Sequence, residues 1–242
     1  MPNLVRNVVH MEGIASLPLF STENPGDKTF GVEAAVQSYE YFDFQKLLPI
    51  PESLLMPSGY EEIQLIKAVM SRIAQGIHTD HRDIRYAIPS PDPQCDIPSI
   101  AERIGVTPEE AETLGMAYLL NALRHGHTSW YGWCKENWGT KWNSSGLERI
   151  DDDTIAFNTA DANPEPVIVE LSVQNPDRQI EHWWAEEDVG VNTGYRCIQD
   201  GQSDDWVPPD CGPYALENYV KCWGMDDRLE RTGGGTLRYI GD

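Results

Sequence analysis

Hydrophobic residues recur at two different spacings along the chain, and the change of spacing predicts where helices give way to strands. The apolar residues between Ile63 and Ile73 repeat at helical spacing, and Gly76 is typical of a helix end. Beyond about residue 150 the apolar positions alternate with polar ones, as in a half-buried strand. The sequence therefore predicts a helical middle followed by a part rich in strands.

Helix starts in the middle part are marked by capping boxes, in which a Ser or Thr stands three residues before a Glu. This spacing occurs at Ser58–Glu61, Ser99–Glu102 and Thr107–Glu110. In the third box Thr107 is followed by Pro108, and proline suits the first helical position because no N–H is needed there. The helix that starts at this box is expected to end near His125. A fourth helix is expected between Thr128 and Trp138.

Strand candidates lie on both sides of this helical part. The Val-rich start at residues 1–11 predicts a first strand, and residues 154–159, 179–185 and 192–199 predict three more, with a proline-opened helix at 164–175. If the helical middle is the first crossover, the order is close to a split βαβ arrangement. We therefore expect an α+β fold: a ferredoxin-like antiparallel sheet with a helical insertion between the first and second strands.

The domain boundaries follow from these elements. Residues 1–200 are predicted to form the ferredoxin-like domain, including the helical insertion at about 53–138. Residues 201–242 are predicted to be an irregular, acidic C-terminal extension with one helix near 214–223. A proline-rich loop is expected at 89–98, because proline removes a backbone donor and fixes φ.

Acidic residues dominate the charge of the chain. The 242 residues contain 39 Asp and Glu against 18 Lys and Arg, a formal net charge of −21. Such a chain lacks the broad basic face that binds nucleic-acid phosphates or anionic lipid. Residues 145–242 hold 21 acidic and 7 basic groups, a charge of −14, so most of the excess lies in the C-terminal part.

The cellular setting expected from the sequence is the cytoplasm of a bacterial host. No apolar stretch approaches the length of a membrane span, and the first residues lack the basic leader of a signal peptide. Five cysteines without a close CxxC pair are typical of reduced thiols. The polar cluster His78–Asp83 lacks the spacing of a metal site, and the sequence contains no nucleophile elbow, phosphate-binding loop or dinucleotide fingerprint. We therefore expect no metal, no cofactor and no catalytic residue.

Two groups of residues are candidates for binding. The first comprises Trp138, Lys141, Trp142 and Asn143, whose aromatic rings could stack on a ligand, anchor a partner or belong to the core. The second surrounds a strand in which Trp183 and Trp184 must face opposite sides, so that one of them is exposed. We take Trp184, with the acidic residues Glu186, Glu187 and Asp188, as the candidate contact surface.

Several short stretches resemble one family of known fold. They are Met1-Pro2-Asn3, residues 42–52, residues 157–160 and, most specifically, Asn-Trp-Gly-Thr-Lys-Trp-Asn at 137–143, hereafter the NWGTKWN segment. Together they resemble the YubB-type ferredoxin-like family of phage- and plasmid-encoded proteins. The final 40 residues have no recognisable counterpart in it. The resemblance implies a ferredoxin-like fold and a mobile-element origin, and no established activity.

Three functional hypotheses follow. The leading one is a non-enzymatic acidic accessory protein of a phage or other mobile element that binds a host or rival protein with a basic surface. Its sharper form is a nucleic-acid mimic that inhibits a defence system of the anti-restriction or anti-CRISPR type. The alternatives are a ligand-binding protein or enzyme with a pocket at Trp138–Asn143, where Lys141 would bind an anion, and a structural component of a phage particle.

Overall fold

The structure, a computed structural model, describes residues 2–23, 38–76, 92 and 94–241, with the backbone alone at 74–76. The His78–Asp83 cluster and the first part of the proline-rich stretch lie outside the described residues. The chain divides into two compact units. Unit 1 is Met1–Pro49 with Asn137–Asp242, and unit 2 is Ile50–Glu136.

The described helices and strands alternate in blocks along the chain. The strands are β1 Leu4–His10, β2 Phe20–Glu23, β3 Tyr39–Phe42, β4 Ser145–Arg149, β5 Thr154–Ala160, β6 Ile180–Glu186, β7 Gly194–Gln199, β8 Gln202–Trp206, β9 Leu229–Arg231 and β10 Leu237–Tyr239. The helices are α1 Tyr60–Gly76, α2 Ile97–Ile104, α3 Pro108–His125, α4 Trp130–Asn137, α5 Glu165–Gln174 and α6 Pro213–Trp223.

Unit 1 is organised around a six-stranded sheet in the order β4-β5-β1-β6-β7-β8. Each neighbouring pair runs antiparallel. The hairpin β2-β3 and the pair β9-β10 form two smaller antiparallel sheets. The predicted mixed α and β class with antiparallel sheets is therefore confirmed.

Both faces of the central strand β1 are buried. Val8 packs with Ala185 of β6 and with Leu216 of α6 on one face. Because successive side chains of a strand point to opposite sides, Val5, Asn7 and Val9 occupy the other face, where all three are buried. This burial on both sides explains the run of valines at the start of the sequence.

The C-terminal part is ordered and packs against the sheet, so the prediction of an irregular extension is wrong. Strand β8 continues the sheet next to β7, and α6 covers the face that carries Val8. Leu216, Leu229 and Leu237 are buried in the same cluster. These three leucines belong to three different elements, α6, β9 and β10, so no regular spacing marks them as one core.

Unit 2 contains the predicted helices with small changes at their starts. The capping box between Thr107 and Glu110 is confirmed, and α3 ends at His125 as expected. Helix α2 begins earlier than predicted, because the side chain of Asp96 accepts the backbone N–H of Ser99 and takes the N-cap position. Among the described helices, none is both long and apolar enough to cross a bilayer.

Candidate functional site

A cleft of about 730 Å³ opens in unit 1, where β1 begins and β5 ends. Its size falls in the range of clefts that hold small organic ligands. The lining residues are Pro2, Leu4, Glu23, Tyr39, Tyr41, Trp142, Asn143, Ser144, Ser145, Thr159, Ala160 and Glu187. The cleft therefore joins the hairpin β2-β3, the end of the NWGTKWN segment and the loop after β6.

Aromatic rings and carboxylates give the cleft its chemical character. The rings of Tyr39 and Tyr41 lie 6.2 Å apart, and Trp142 is 46% exposed. The hydroxyl of Tyr39 donates a hydrogen bond to Oε2 of Glu23 at 2.5 Å, which raises the pKa of Tyr39 to about 12. Among the lining residues within the described part of the chain, two are acidic and none is Lys, Arg or His. The lining is thus acidic and aromatic.

Trp138 lies in the core of unit 1, which was one of the roles that the sequence left open, and it is therefore not a surface contact. The indole is 3% exposed and packs edge-on against Phe44 with ring centroids 5.6 Å apart. Its Nε1–H donates to the carbonyl of Leu48 at 2.9 Å. Trp138 therefore anchors the NWGTKWN segment to the chain that precedes unit 2.

Asn143 is also held by the protein itself. Its Oδ1 accepts the backbone N–H of Phe44 at 3.0 Å and that of Ser144 at 2.9 Å, and its Nδ2 donates to Asp43 at 2.8 Å. Thr140 likewise bonds both ways with the backbone of Ala160. The side chains of Trp138, Thr140 and Asn143 are thus hydrogen-bonded within unit 1, while the ring of Trp142 remains exposed at the cleft.

Lys141, predicted to be an anion-binding group, is occupied by an acidic neighbour. Its Nζ lies 2.8 Å from Oδ2 of Asp161 and 4.7 Å from the ring centroid of Trp142. Lys141 is absent from the residues that line the cleft. The structure therefore offers no support for anion binding by this lysine.

Trp184 is buried, so its choice as the exposed tryptophan of β6 is wrong. The side chain is 3% exposed and its ring lies against Gly194 of β7, the residue that it faces in the register. Trp183 is the half-buried member of the pair, and Nζ of Lys221 lies 4.5 Å from its ring. The Gly at position 194 is what leaves room for the indole on this side.

The three acidic residues after Trp184 lie in different settings. Glu186 accepts hydrogen bonds from the side chains of Asn3 and Asn192. Glu187 is exposed, lines the cleft and accepts the backbone N–H of Leu4 at 3.3 Å. Asp188 is exposed beside it. Of the predicted site residues, Trp142, Asn143 and Glu187 are brought together at the cleft, and the others are not.

A second surface lies at the outer strand β8 and the start of α6, where the sequence showed the acidic pair Asp204-Asp205 but indicated neither the strand nor the two aromatic residues beside it. We call it the acidic edge surface and define it by Asp204, Asp205, Trp206, Asp210 and Tyr214. All five residues are exposed, and the rings of Trp206 and Tyr214 meet edge-to-face at 4.7 Å. Residues 199–214 contain four aspartates and no Lys or Arg. The Asp-Asp-Trp sequence was visible as an acidic cluster, but nothing in its pattern identified a strand.

The other face of the sheet contains a buried polar chain. Nε2 of His182 lies 3.0 Å from Oδ1 of Asn7, and the His182 ring is 5.2 Å from that of Trp184. Beside them the buried guanidinium of Arg196 forms ion pairs of 3.0 Å with Glu165 and with Asp205. Asp205 therefore links the acidic edge surface to the interior of the sheet.

Comparison with known protein families finds a match for residues 137–226 of unit 1. Residues 137–226 match the family model described as a ferredoxin-like domain in Api92-like protein. The match begins at the first residue of the NWGTKWN segment and includes α6, so it extends into the last 40 residues, for which the YubB-type resemblance offered no counterpart. The ferredoxin-like expectation is confirmed for this region.

One solved structure is similar to the chain. It is the crystal structure of a protein api92 from Yersinia pseudotuberculosis, with 13% sequence identity, coverage of 86% of this chain and 99% of that chain, and a TM-score of 0.34. No curated protein matches the chain.

Proposed function

We propose that this protein works by binding another protein through the acidic edge surface. The observation that carries the proposal is the contact between two exposed rings, Trp206 at the end of the outer strand β8 and Tyr214 at the start of α6, with exposed aspartates around them. Aromatic residues with a polar rim are typical of the few side chains that dominate a protein interface. The partner surface that fits this chemistry is basic and contains a pocket for an aromatic ring.

The charge distribution supports the same proposal. The C-terminal 98 residues carry a charge of −14, and the aspartates of residues 199–214 have no basic residue among them in the sequence. Charges of one sign steer a partner of opposite charge and raise the association rate at low ionic strength. Binding is therefore expected to weaken with added salt, mainly through slower association.

The sharper proposal is that the acidic edge surface imitates nucleic-acid phosphates and occupies a nucleic-acid-binding groove. This form of the proposal makes a separate demand on the partner. Duplex DNA must compete with the protein for it, because both would occupy the same basic groove. If a basic partner binds this protein and DNA at the same time, the mimicry proposal is rejected, while the proposal of a protein–protein interaction stands.

The experiment that tests the proposal is affinity capture from bacterial lysate with the wild-type protein and Trp206→Ala. We expect wild type to retain a basic protein at about 50 mM salt and to release it at about 500 mM. Trp206→Ala should lose that protein at both salt concentrations, because the aromatic anchor is gone. The matched control is Tyr239→Ala, since Tyr239 is as exposed as Trp206, at 42%, and lies on β10. Equal capture by wild type and Trp206→Ala would reject this surface as the interface.

Two finer interpretations accompany this proposal. We propose that β1, β4, β5 and β6 are the split βαβ core, because their order in the sheet, β4-β5-β1-β6, is that of a ferredoxin-like domain. Residues 50–136 would then be the helical insertion. A YubB-type relationship, a mobile-element origin, a role in a phage particle and a cytoplasmic location stay predictions.

The cleft favours a second function, the binding of a small ligand. Its volume of about 730 Å³ and its place beside the NWGTKWN segment are the observations that support it. The test is whether a small organic probe perturbs the environment of Trp142, whose ring is exposed at the cleft.

A further inference from the structure

We infer that the cleft binds an organic cation, an alkylammonium or guanidinium group, which packs against the aromatic rings and pairs with the carboxylates. This inference rests on the second proposed function and names the class of ligand. The rings concerned are those of Tyr39, Tyr41 and Trp142, and the carboxylates are Glu23 and Glu187.

Aromatic rings attract cations through the negative charge of their faces, and tryptophan does so most strongly. Trp142 already has a cation beside it, because Nζ of Lys141 lies 4.7 Å from its ring centroid. Nearly half of the side chain is exposed in addition to this contact. The ring is therefore placed to contact a ligand in the cleft as well.

The carboxylates supply the complementary charge. Glu23 uses Oε2 to accept from Tyr39, and Glu187 uses Oε1 to accept from the N–H of Leu4. Among the described residues, the second oxygen of each carboxylate has no hydrogen-bond partner. With two acidic and no basic side chains among the lining residues that the structure describes, the cleft favours cations over anions.

The neutral polar residues of the lining are largely occupied by the protein itself. Ser144 Oγ donates to the carbonyl of Phe42, Thr159 Oγ1 donates to that of Ala162, and Asn143 makes the three bonds described above. Tyr39 stays a neutral phenol at physiological pH because its pKa is about 12. Charge and aromatic contact are thus the chief means by which the cleft can select a ligand.

The test uses choline and its neutral isostere 3,3-dimethylbutan-1-ol as probes of the full-length protein. The readout is the indole N–H signal of Trp142 in a ¹H–¹⁵N NMR titration, assigned by its disappearance in Trp142→Phe. We expect choline to shift this signal in a saturable way and the isostere to bind at least fivefold more weakly. A third probe, acetyl-Gly-Arg-Gly-amide, presents a guanidinium on a peptide backbone. Its affinity is compared with that of argininamide, which presents the same guanidinium without the flanking peptide. Tighter binding of the peptide would identify a protein side chain as the source of the cation, and equal affinity would identify a free small molecule.

Substitutions connect the binding to the cleft. The double variant Glu23→Gln, Glu187→Gln is expected to weaken choline at least fivefold and to leave 3,3-dimethylbutan-1-ol unchanged. The matched control is Glu12→Gln, since Glu12 is exposed and lies outside the lining. Its choline affinity should equal that of wild type, and circular dichroism checks that each variant is folded.

The outcomes distinguish two claims: that the cleft binds a small ligand, and that this ligand is a cation. If the isostere binds as well as choline and shifts Trp142 equally, the cleft is a ligand site and the inference of a cation is overturned. If none of the probes shifts the Trp142 signal, both the inference and the second proposed function are rejected.

Discussion

Nε2 of His182 donates a hydrogen bond to Oδ1 of Asn7 across the middle of the sheet, at 3.0 Å. The direction of the bond follows from the Asn7 amide, whose Nδ2 donates to Thr159 Oγ1 and to the carbonyl of Val5. Oδ1 is therefore the acceptor, and Nε2 must hold the proton. Burial, and to a lesser degree the positive charge of Arg196, hold the pKa of His182 well below its usual 6.5.

This depressed pKa makes stability depend on pH. The unfolded chain takes up a proton at His182 near pH 6.5, while the folded protein does not, so the free energy of unfolding falls as pH drops below that value. We expect His182→Gln, which cannot titrate, to remove this contribution, up to about 1.4 kcal/mol per pH unit. Urea unfolding of both proteins between pH 7.5 and pH 5 measures the difference. Parallel curves over that range would contradict a neutral His182.

Arg196 is expected to matter for stability through the two carboxylates that it pairs with. Its side chain is 2% exposed, so Arg196→Ala removes both ion pairs and leaves a void beneath Trp184. We expect a loss of about 2–4 kcal/mol in the free energy of unfolding. Arg196→Met should lose less, because it fills the space and both carboxylates reach water.

The control for Arg196 is Arg238→Met, which breaks an exposed ion pair with Glu230. We expect a change below about 1 kcal/mol there, since exposed pairs contribute little. Chemical denaturation compares the three variants with wild type. A smaller effect at Arg196 than at Arg238 would mean that the buried ion pairs do not stabilise the sheet.

Gly194 is required by the indole of Trp184. A Cβ at position 194 would lie 2.0 Å from Cζ2 of Trp184, and the contact is with the body of a buried ring that has little room to move. Gly194→Ala should therefore lower the free energy of unfolding by about 2 kcal/mol or more. Adding Trp184→Leu should make the two effects non-additive, because the smaller side chain relieves the clash. The control is Gly233→Ala, where a Cβ meets nothing within 4 Å.

The sequence predicted the elements that contain a run of buried apolar residues or a capped end. Helix α3 matched at both ends because Thr107, Glu110 and the turn at Gly126 are local signals. Strands β4 and β8 were missed because they lie at the two ends of the sheet order, where almost every residue is exposed and no alternation appears. Edge strands of this kind owe their structure to the neighbour that they pair with.

The candidate site was likewise predicted only in part from the sequence. Trp142 and Asn143 were identified because they belong to a dense aromatic stretch, but Glu23 and Tyr39 are about 100 residues away in the chain. They reach the cleft because β2 and β3 pair as a hairpin, with Glu23 opposite Tyr39 in its register. The prediction that Trp184 is exposed was wrong for a related reason. Alternation along a strand shows that Trp183 and Trp184 face opposite sides of the sheet, but it does not show which side is covered by other parts of the protein.

The C-terminal part is expected to contribute to the stability of unit 1. Leu216 of α6 is 1% exposed and packs against Val8 and Ala185. Leu216→Ala should lower the free energy of unfolding by about 2–5 kcal/mol, from lost burial and the cavity that it leaves. Ile240→Ala is the control, because Ile240 is half exposed. Equal stability of the two variants would indicate that α6 is only loosely attached.

The hydrogen bond from Trp138 to Leu48 has a consequence for the evolution of the chain. It joins two points 90 residues apart, on either side of the segment 50–136, so that whole segment is one closed loop in the architecture of unit 1. The entropy of closing a loop grows only with the logarithm of its length, and replacing this one by a short linker would change the closure term by only about 2 kcal/mol. The closure entropy therefore allows segments of very different length between Leu48 and Trp138, and we expect insertions or deletions there to cost unit 1 little free energy.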